Sequence, residues 1–316
     1  MIARRICSGR VSRQRKESGI ALLLVLWLTA LLTVIAGGFA YAMRNEAMAA
    51  RNTMSQAQGR ALADGAVQRM AFELMRPRTL AEAWSPDGTV HTWAEGDARV
   101  NVNALDESGK IDINSAPETL LNGLLQTVGQ VDAATAARLV DAIGDWKDPD
   151  DLRRPNGAEA PDYQAAGLSY KPANALFESV AEVQRVLGMT PAIFARLSGS
   201  LTVFSGMPGI NPSYASRAVL MAVPGATDAI VDTYISQRNA ALAARQPLPV
   251  FPLGGGGTAI NVWRIRAEVT TADGAIFIRE AVVRPGQPPG PAITVLDWQQ
   301  GDTPMLVAAD AAQPTQ

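Results

Sequence analysis

Five carboxylates crowd one short stretch of this sequence. Asp145, Asp148, Asp150 and Asp151 fall within Asp145-Trp146-Lys147-Asp148-Pro149-Asp150-Asp151, and Glu159 follows in Pro155-Asn156-Gly157-Ala158-Glu159. Carboxylates at this density repel one another, so water, a basic side chain or a cation must relieve them. Hard oxygen donors on a loop broken by proline and glycine suit Ca²⁺. The spacing of Asp148, Asp150 and Glu159 matches positions 1, 3 and 12 of an EF-hand loop. Leu152 stands at position 5, however, and Arg153 at position 6, where that turn needs glycine. The stretch is therefore read as a calcium site of another geometry, with Asp145, Asp148, Asp150, Asp151 and Glu159 as candidate ligands. The alternative is a solvated loop whose acids pair with Arg153 and Arg154.

Catalytic chemistry has little else to draw on. The chain has one histidine, His91, and one cysteine, Cys7. His91 lies in a stretch that reads as strand, and Cys7 lies in a basic leader that processing would remove. A Ser-His-Asp triad away from His91 would need a second histidine, so histidine-based hydrolysis is excluded in practice and no catalytic residue is assigned. With a single cysteine no disulfide can form within the chain. The net charge is −2 and the mean hydropathy +0.04. That balance hides an asymmetry. Residues 1–19 carry six basic groups against Glu17, whereas residues 101–240 carry ten basic and sixteen acidic groups, a net of −6.

The elements that hold the acidic loop begin at the N-terminus. Residues Ile20 to Met43 contain no charge. As a helix, these 24 residues extend ~36 Å at ~1.5 Å per residue, enough for a hydrocarbon core of about 30 Å. The basic block ahead of them stays cytoplasmic and the rest is exported, so the expected location is a single-pass inner-membrane protein with a periplasmic C-terminal part. A secretory signal cut near Ala40-Tyr41-Ala42 is the competing reading, although the run is longer than such signals use. Arg15-Lys16-Glu17-Ser18-Gly19 followed by Ile20-Ala21-Leu22-Leu23-Leu24 resembles a type IV prepilin leader. That resemblance implies cleavage between Gly19 and Ile20 by a prepilin peptidase, with the apolar helix retained. Most pilins carry glutamate at the fifth mature position, and this chain has Leu24. A carboxylate in lipid needs a partner, so its absence points to a subunit at the end of a filament. Beyond the membrane, Leu62, Ala66, Val67, Met70 and Leu74 recur at helical spacing until Pro77.

Two β-rich stretches flank a helical middle. Residues Thr89–Asp106 alternate around a Gly96-Asp97 turn, and Val262–Thr271 and Ala275–Arg284 alternate around Asp273-Gly274. Ile293–Trp298 is a further candidate strand after a Pro/Gly-rich linker, and the segment after it reads as a disordered tail. Gly254–Gly257 reads as a joint, since no Gly-Lys-Ser/Thr follows. The middle holds a weak repeat. Ile113-Asn114-Ser115-Ala116-Pro117, Val128-Gly129-Gln130 and Leu139-Val140-Asp141-Ala142-Ile143 are echoed by Ile210-Asn211-Pro212-Ser213, Val223-Pro224-Gly225 and Ala229-Ile230-Val231. Asn and Ser at these positions can cap helices and glycine can make the turns, which describes helix-hairpin-helix units. Between them, Ser179–Leu187 reads as a helix ending at Gly188, with Thr190-Pro191 starting the next. Such units often bind DNA, and membrane-anchored DNA-uptake receptors carry a similar Ile-Asn segment and hairpin. Neither hairpin here contains lysine or arginine, and phosphate neutralisation by those groups supplies most DNA affinity. No nucleic-acid partner is expected, and the DNA-receptor reading stands as the alternative.

Together these features resemble the protein K family of minor pseudopilins of type II secretion. The likeness rests on the leader without glutamate at Leu24, Gly109-Lys110-Ile111-Asp112-Ile113-Asn114, the two acidic motifs and the second Ile210-Asn211 unit. It implies an α+β fold. A long N-terminal transmembrane helix leads into a pilin-like helix-on-antiparallel-sheet domain, interrupted by a large all-α domain of helix-hairpin-helix (SAM-like) units. The boundaries are leader 1–19, membrane helix 20–43, pilin-like parts 44–106 and 251–298, insertion 107–250 and tail 299–316. The resemblance also implies bound calcium and a tip complex with other minor pseudopilins on a filament of major pseudopilin, where it would start pseudopilus assembly for export of folded proteins.

Overall fold

With no charge or proline from Ile20 to Met43, nothing interrupts helix formation, and α1 runs from Ser18 to Met75. The computed structural model describes residues 18–77, 83–254, 260–287 and 289–301. The leader to Glu17 with Cys7, Gly255–Gly257 of the glycine joint, and the tail from Asp302 lie outside the described residues. The chain divides into two compact units at Gln58/Gly59.

In the first unit the side chains from Ile20 to Met54 are exposed. Mean hydropathy over an 18-residue window reaches 2.6, which makes α1 the one helix among the described residues long and apolar enough to cross a membrane. Thr29 and Thr33 donate their hydroxyls to the carbonyls of Leu26 and Thr29, at 2.9 and 2.8 Å, so these two polar groups are satisfied within the helix. Leu24 is exposed among apolar neighbours. The Gly19–Ile20 bond falls in the first turn of α1.

In the second unit α1 becomes amphipathic. Ala63, Ala66, Val67, Met70, Ala71 and Leu74 are buried against Val100, Val102, Trp263, Ile265, Val269 and Val283 of a sheet. Each large side chain so buried contributes roughly 1.5–3 kcal/mol. Pro77 disfavours helical backbone at the residue before it, and α1 ends at Met75. The sheet starts with β1 (His91–Glu95) and β2 (Ala98–Asp106), joined at Gly96, whose φ is 58°. The chain then leaves it for β3 (Ile111–Asp112), α2 (Glu118–Thr127), α3 (Ala133–Lys147), α4 (Ala160–Ala165), α5 (Pro191–Leu197), β4 (Leu201–Thr202), α6 (Arg217–Met221) and α7 (Asp228–Ala243). It returns as β5 (Trp263–Thr270), β6 (Ile276–Pro285) and β7 (Ile293–Gln300).

The five-stranded sheet is antiparallel throughout, in the order β1-β2-β5-β6-β7. Asp106 and Trp263 are paired neighbours although the helical region separates them in sequence. That region has its own core around Leu124, Leu139, Ile143, Leu197, Leu220 and Tyr234, and β3 pairs with β4 in parallel within it. Glu107 stands at the junction of the two cores. Its buried carboxylate accepts from Lys110 Nζ and Arg264 Nε, each at 2.9 Å, and from the Thr202 hydroxyl.

Four local expectations are corrected. Residues 299 and 300 belong to β7, not to the tail, because Arg279 and Glu280 of β6 pair with them. The stretch Ser179–Leu187 forms a 3₁₀ turn, Val180–Arg185, rather than an α-helix. Asn114 does not cap α2, whose first turn follows Pro117 without a side-chain cap. Its amide instead pairs with the backbone of Phe177, accepting from N at 2.9 Å and donating to O at 3.0 Å. In the first hairpin the left-handed residue is Gln130 (φ 53°), whereas in the second it is Gly225 (φ 84°). Gly129 is needed for a different reason: a Cβ there would strike the Leu125 carbonyl.

Candidate functional site

Helix α3 carries the first acid of the cluster, and the loop after it carries the next three. Asp132 caps the start of α3 by accepting from Thr135 N at 2.9 Å, and Pro149 follows its C-terminal cap, Asp148. This orientation leaves Asp145 fully buried, both of its oxygens accepting from Arg154 N at 3.2 and 3.3 Å. Burial moves the Asp145 carboxyl above its ordinary pKa against the lowering pull of that hydrogen bond, and the nearby Asp148 adds to the rise. Asp148 is raised too, by burial and then by Asp150. The Asp150 carboxylate accepts from Leu152 N at 2.8 Å, and Asp151 accepts from Asn174 Nδ2 at 3.0 Å.

Glu159 stands just ahead of α4, its N–H donating to Asp162 at 2.9 Å. It is 4% exposed, and neither carboxylate oxygen has a hydrogen-bond partner among the described residues. Burial and then Asp145, Asp148, Asp151 and Asp150 push its carboxyl upward. The five acids thus share one electrostatic neighbourhood. A cavity of about 530 Å³ opens beside them, lined by Asp151, Arg153, Glu159, Asp162 and Lys171 among others.

These carboxylates do not converge on one point. Among the described residues no three His, Cys, Asp or Glu side chains are gathered closely enough to hold a metal ion. Arg154 stands among them. Its Nε lies 3.6 Å from Asp145 Oδ1 and 3.8 Å from Asp148 Oδ2, while Nη1 meets Glu118 Oε1 on α2 at 2.5 Å. Arg153 turns instead to Asp162, at 3.0 Å. Two glycines make this packing possible. A Cβ on Gly144 would overlap the Arg154 guanidinium, and one on Gly157 would overlap the Asp145 carboxylate. The donors still suit a hard cation, since Glu159 Oε1 and Oε2 and Asp148 Oδ1 are buried oxygens without a partner among the described residues.

The sequence motifs meet here in ways their spacing did not reveal. Lys147 donates to the Ile113 and Asn114 carbonyls, each at 3.0 Å, which fastens the acidic stretch to the Ile-Asn segment. Asp112, buried beside it, accepts from Asn114 N at 2.9 Å and Gly206 N at 2.7 Å. Trp146 stacks on Phe177 at 5.9 Å. A basic group does sit at the first hairpin: Arg196 of α5 donates from Nε and Nη2 to the Gly129 carbonyl, at 3.0 and 2.7 Å. Its guanidinium is engaged by the protein itself. His91 stacks on Trp84 at 3.8 Å, and burial lowers its pKa against the opposing pull of Asp87 and Glu73.

A chain of the crystal structure of the GspK-GspI-GspJ complex from the enterotoxigenic Escherichia coli type 2 secretion system superposes with a TM-score of 0.60. The match is 17% identical and covers 80% of this chain and 99% of that one, a likeness of fold. Type II secretion system protein K of Klebsiella pneumoniae is 28% identical over 230 residues, 66% of this chain and 70% of that protein. The same protein of Pseudomonas aeruginosa is 26% identical over 245 residues, 69% and 73% of the two chains. The family model described as type II secretion system (T2SS), protein K, matches residues 98–206, from β2 through the acidic loop and past β4. Over residues 98–206 this chain matches the type II secretion protein K family. Protein K is a minor pseudopilin of type II secretion, and its family comprises structural subunits rather than known enzymes. The part of this chain matched by the family model includes every candidate ligand from Asp145 to Glu159.

Proposed function

We propose that this protein is the tip subunit of the pseudopilus, where it nucleates or caps the filament that exports folded proteins across the outer membrane. One observation carries the reading: the Ile20–Met43 segment of α1 holds no carboxylate, with Leu24 where most pilins have glutamate. A filament helix without that charge offers nothing to the N-terminal amine of a neighbouring subunit, which suits a terminal position. The Gly19–Ile20 bond is the cleavage site for the prepilin peptidase, and the N-terminus stays cytoplasmic while the sheet and helical region lie in the periplasm. The partners are other minor pseudopilins, with major pseudopilin below them. The likeness to a chain from a GspK-GspI-GspJ complex supports that partnership. The helical insertion serves as helix-hairpin-helix scaffolding. Its net acidic charge and the engagement of Arg196 by Gly129 favour this role over duplex DNA.

The test uses the full chain in detergent, co-expressed with the other minor pseudopilins. A stoichiometric complex is expected on size exclusion, and its absence defeats the reading. Intact mass should show a mature chain starting at Ile20 only when the peptidase is present.

The acidic loop takes Ca²⁺, held by oxygens drawn from Asp145, Asp148, Asp150, Asp151 and Glu159. The ion would supply the charge that the unpartnered Glu159 carboxylate lacks. Chelation should lower the melting temperature, and Asp148→Ala with Asp150→Ala should abolish the difference. Equal melting of wild type with and without calcium rejects this site.

A further inference from the structure

The acidic loop already contains a cation, and its placement has a consequence. Arg154 is held at the cluster by more than a chance surface contact. Its guanidinium occupies the space left by Gly144, a glycine inside α3 where alanine would favour the helix by ~1 kcal/mol. From that seat Nε faces Asp145 at 3.6 Å and Asp148 at 3.8 Å, distances longer than a direct hydrogen bond. Its closest partner lies outside the cluster, at Glu118 Oε1, 2.5 Å away on α2. Meanwhile Glu159, 4% exposed, has no partner among the described residues for either oxygen. Arg154 therefore neutralises one side of the cluster and leaves the other unsatisfied.

We propose that Arg154 and a divalent cation are mutually exclusive partners of Asp145 and Asp148, and that Glu118 on α2 retains the guanidinium when the cation enters. This deepens the calcium reading above and rests on it. With Arg154 between Asp145 and Asp148, two positive groups would compete for the same oxygens, and like charges at that range repel strongly. The exchange needs no unfolding, because the guanidinium already holds Glu118 and only its weaker contacts are released. Cation occupancy is thereby coupled to the α2–α3 pair, and the coupling is reciprocal.

Calorimetric titration of calcium chloride into the chelator-treated full chain in detergent tests this. Arg154→Met puts an apolar side chain of similar reach beside Gly144 and removes the charge. It should bind calcium about tenfold more tightly than wild type, equivalent to ~1.4 kcal/mol. Glu118→Gln leaves the acidic loop intact and removes the retaining carboxylate. It should bind calcium about threefold more weakly, because Arg154 then falls back on Asp145 and Asp148. This second variant carries the test if Arg154→Met fails to fold. Equal dissociation constants in wild type and both variants overturn the proposal while leaving the calcium site standing. No calcium binding by any of the three overturns the proposal and the calcium reading together.

Discussion

Neutralising Glu107 should show how firmly the helical region is fastened to the sheet. Its carboxylate is fully buried, with Lys110 Nζ and Arg264 Nε each 2.9 Å away and side chains that are 14% and 20% exposed. At an effective dielectric of ~20 each contact is worth ~6 kcal/mol of Coulomb energy. Desolvation of the three charges and repulsion between the two cations offset most of that. Removing one partner leaves the others uncompensated, at a cost of about 3–5 kcal/mol. Glu107→Gln preserves the shape, so a loss of about 3 kcal/mol is expected, or a melting temperature lower by about 6–12 °C for a unit of this size. Thermal unfolding of the full chain in detergent, followed by circular dichroism, measures it. Replacing all three charges by apolar groups of similar volume should recover most of the loss. Burial opposes the Glu107 charge, but Lys110 and Arg264 outweigh it and hold the carboxyl below 4.5. Its folded pKa is therefore depressed. The stabilisation is complete above the ordinary value of 4.5 and is lost as pH falls through the lower folded value. Glu107→Gln should lack that component of acid sensitivity. A drop of less than about 2 °C at pH 7 would refute the reasoning, since it would mean that the network contributes nothing beyond its own desolvation cost.

Three glycines should respond differently to alanine in urea unfolding of the full chain. Gly65 in α1 has open space where a Cβ would go, so Gly65→Ala should stabilise by about 0.5–1 kcal/mol. Gly123 in α2 faces the Ala222 carbonyl after α6; there the backbone clash costs ~1–3 kcal/mol and exceeds the helix gain of ~1 kcal/mol, so the midpoint should fall. Gly157→Ala should also destabilise, by about 1–3 kcal/mol, and weaken calcium binding by pushing the Asp145 carboxylate aside. Asn114→Ala leaves Phe177 N–H and C=O without their partner at a cost of about 1–3 kcal/mol for each group that stays buried, and a loss under 0.5 kcal/mol would show that water replaces the amide (a range of order 1 kcal/mol per bond).

Local chemistry was legible in the residues. The uncharged run Ile20–Met43, the alternation of Trp263–Thr270 and the Asp273-Gly274 turn each depend on neighbours a few positions away. Gly274 adopts φ 81° as that turn requires, and Ala66, Val67, Met70 and Leu74 are buried as their spacing implies. The boundaries failed where packing overruled local preference. The Ser179–Leu187 stretch tightened to a 3₁₀ turn, and Asn114 turned from its helix to Phe177.

The sequence alone determined that one helix is apolar enough for a membrane, that strands flank a helical middle and that five carboxylates lie close along the chain. Periodicity, turn residues and charge are short-range properties carried by consecutive residues. Only the tertiary structure decided that β2 and β5 are neighbours across the helical region, that Glu107 meets Arg264 157 residues away, and that Arg154 stands between Asp145 and Asp148 while reaching Glu118. Which distant side chains share a buried charge depends on how elements pack. A single chain carries no local sign of that beyond glycines such as Gly144 and Gly157, whose missing side chains make room for a partner.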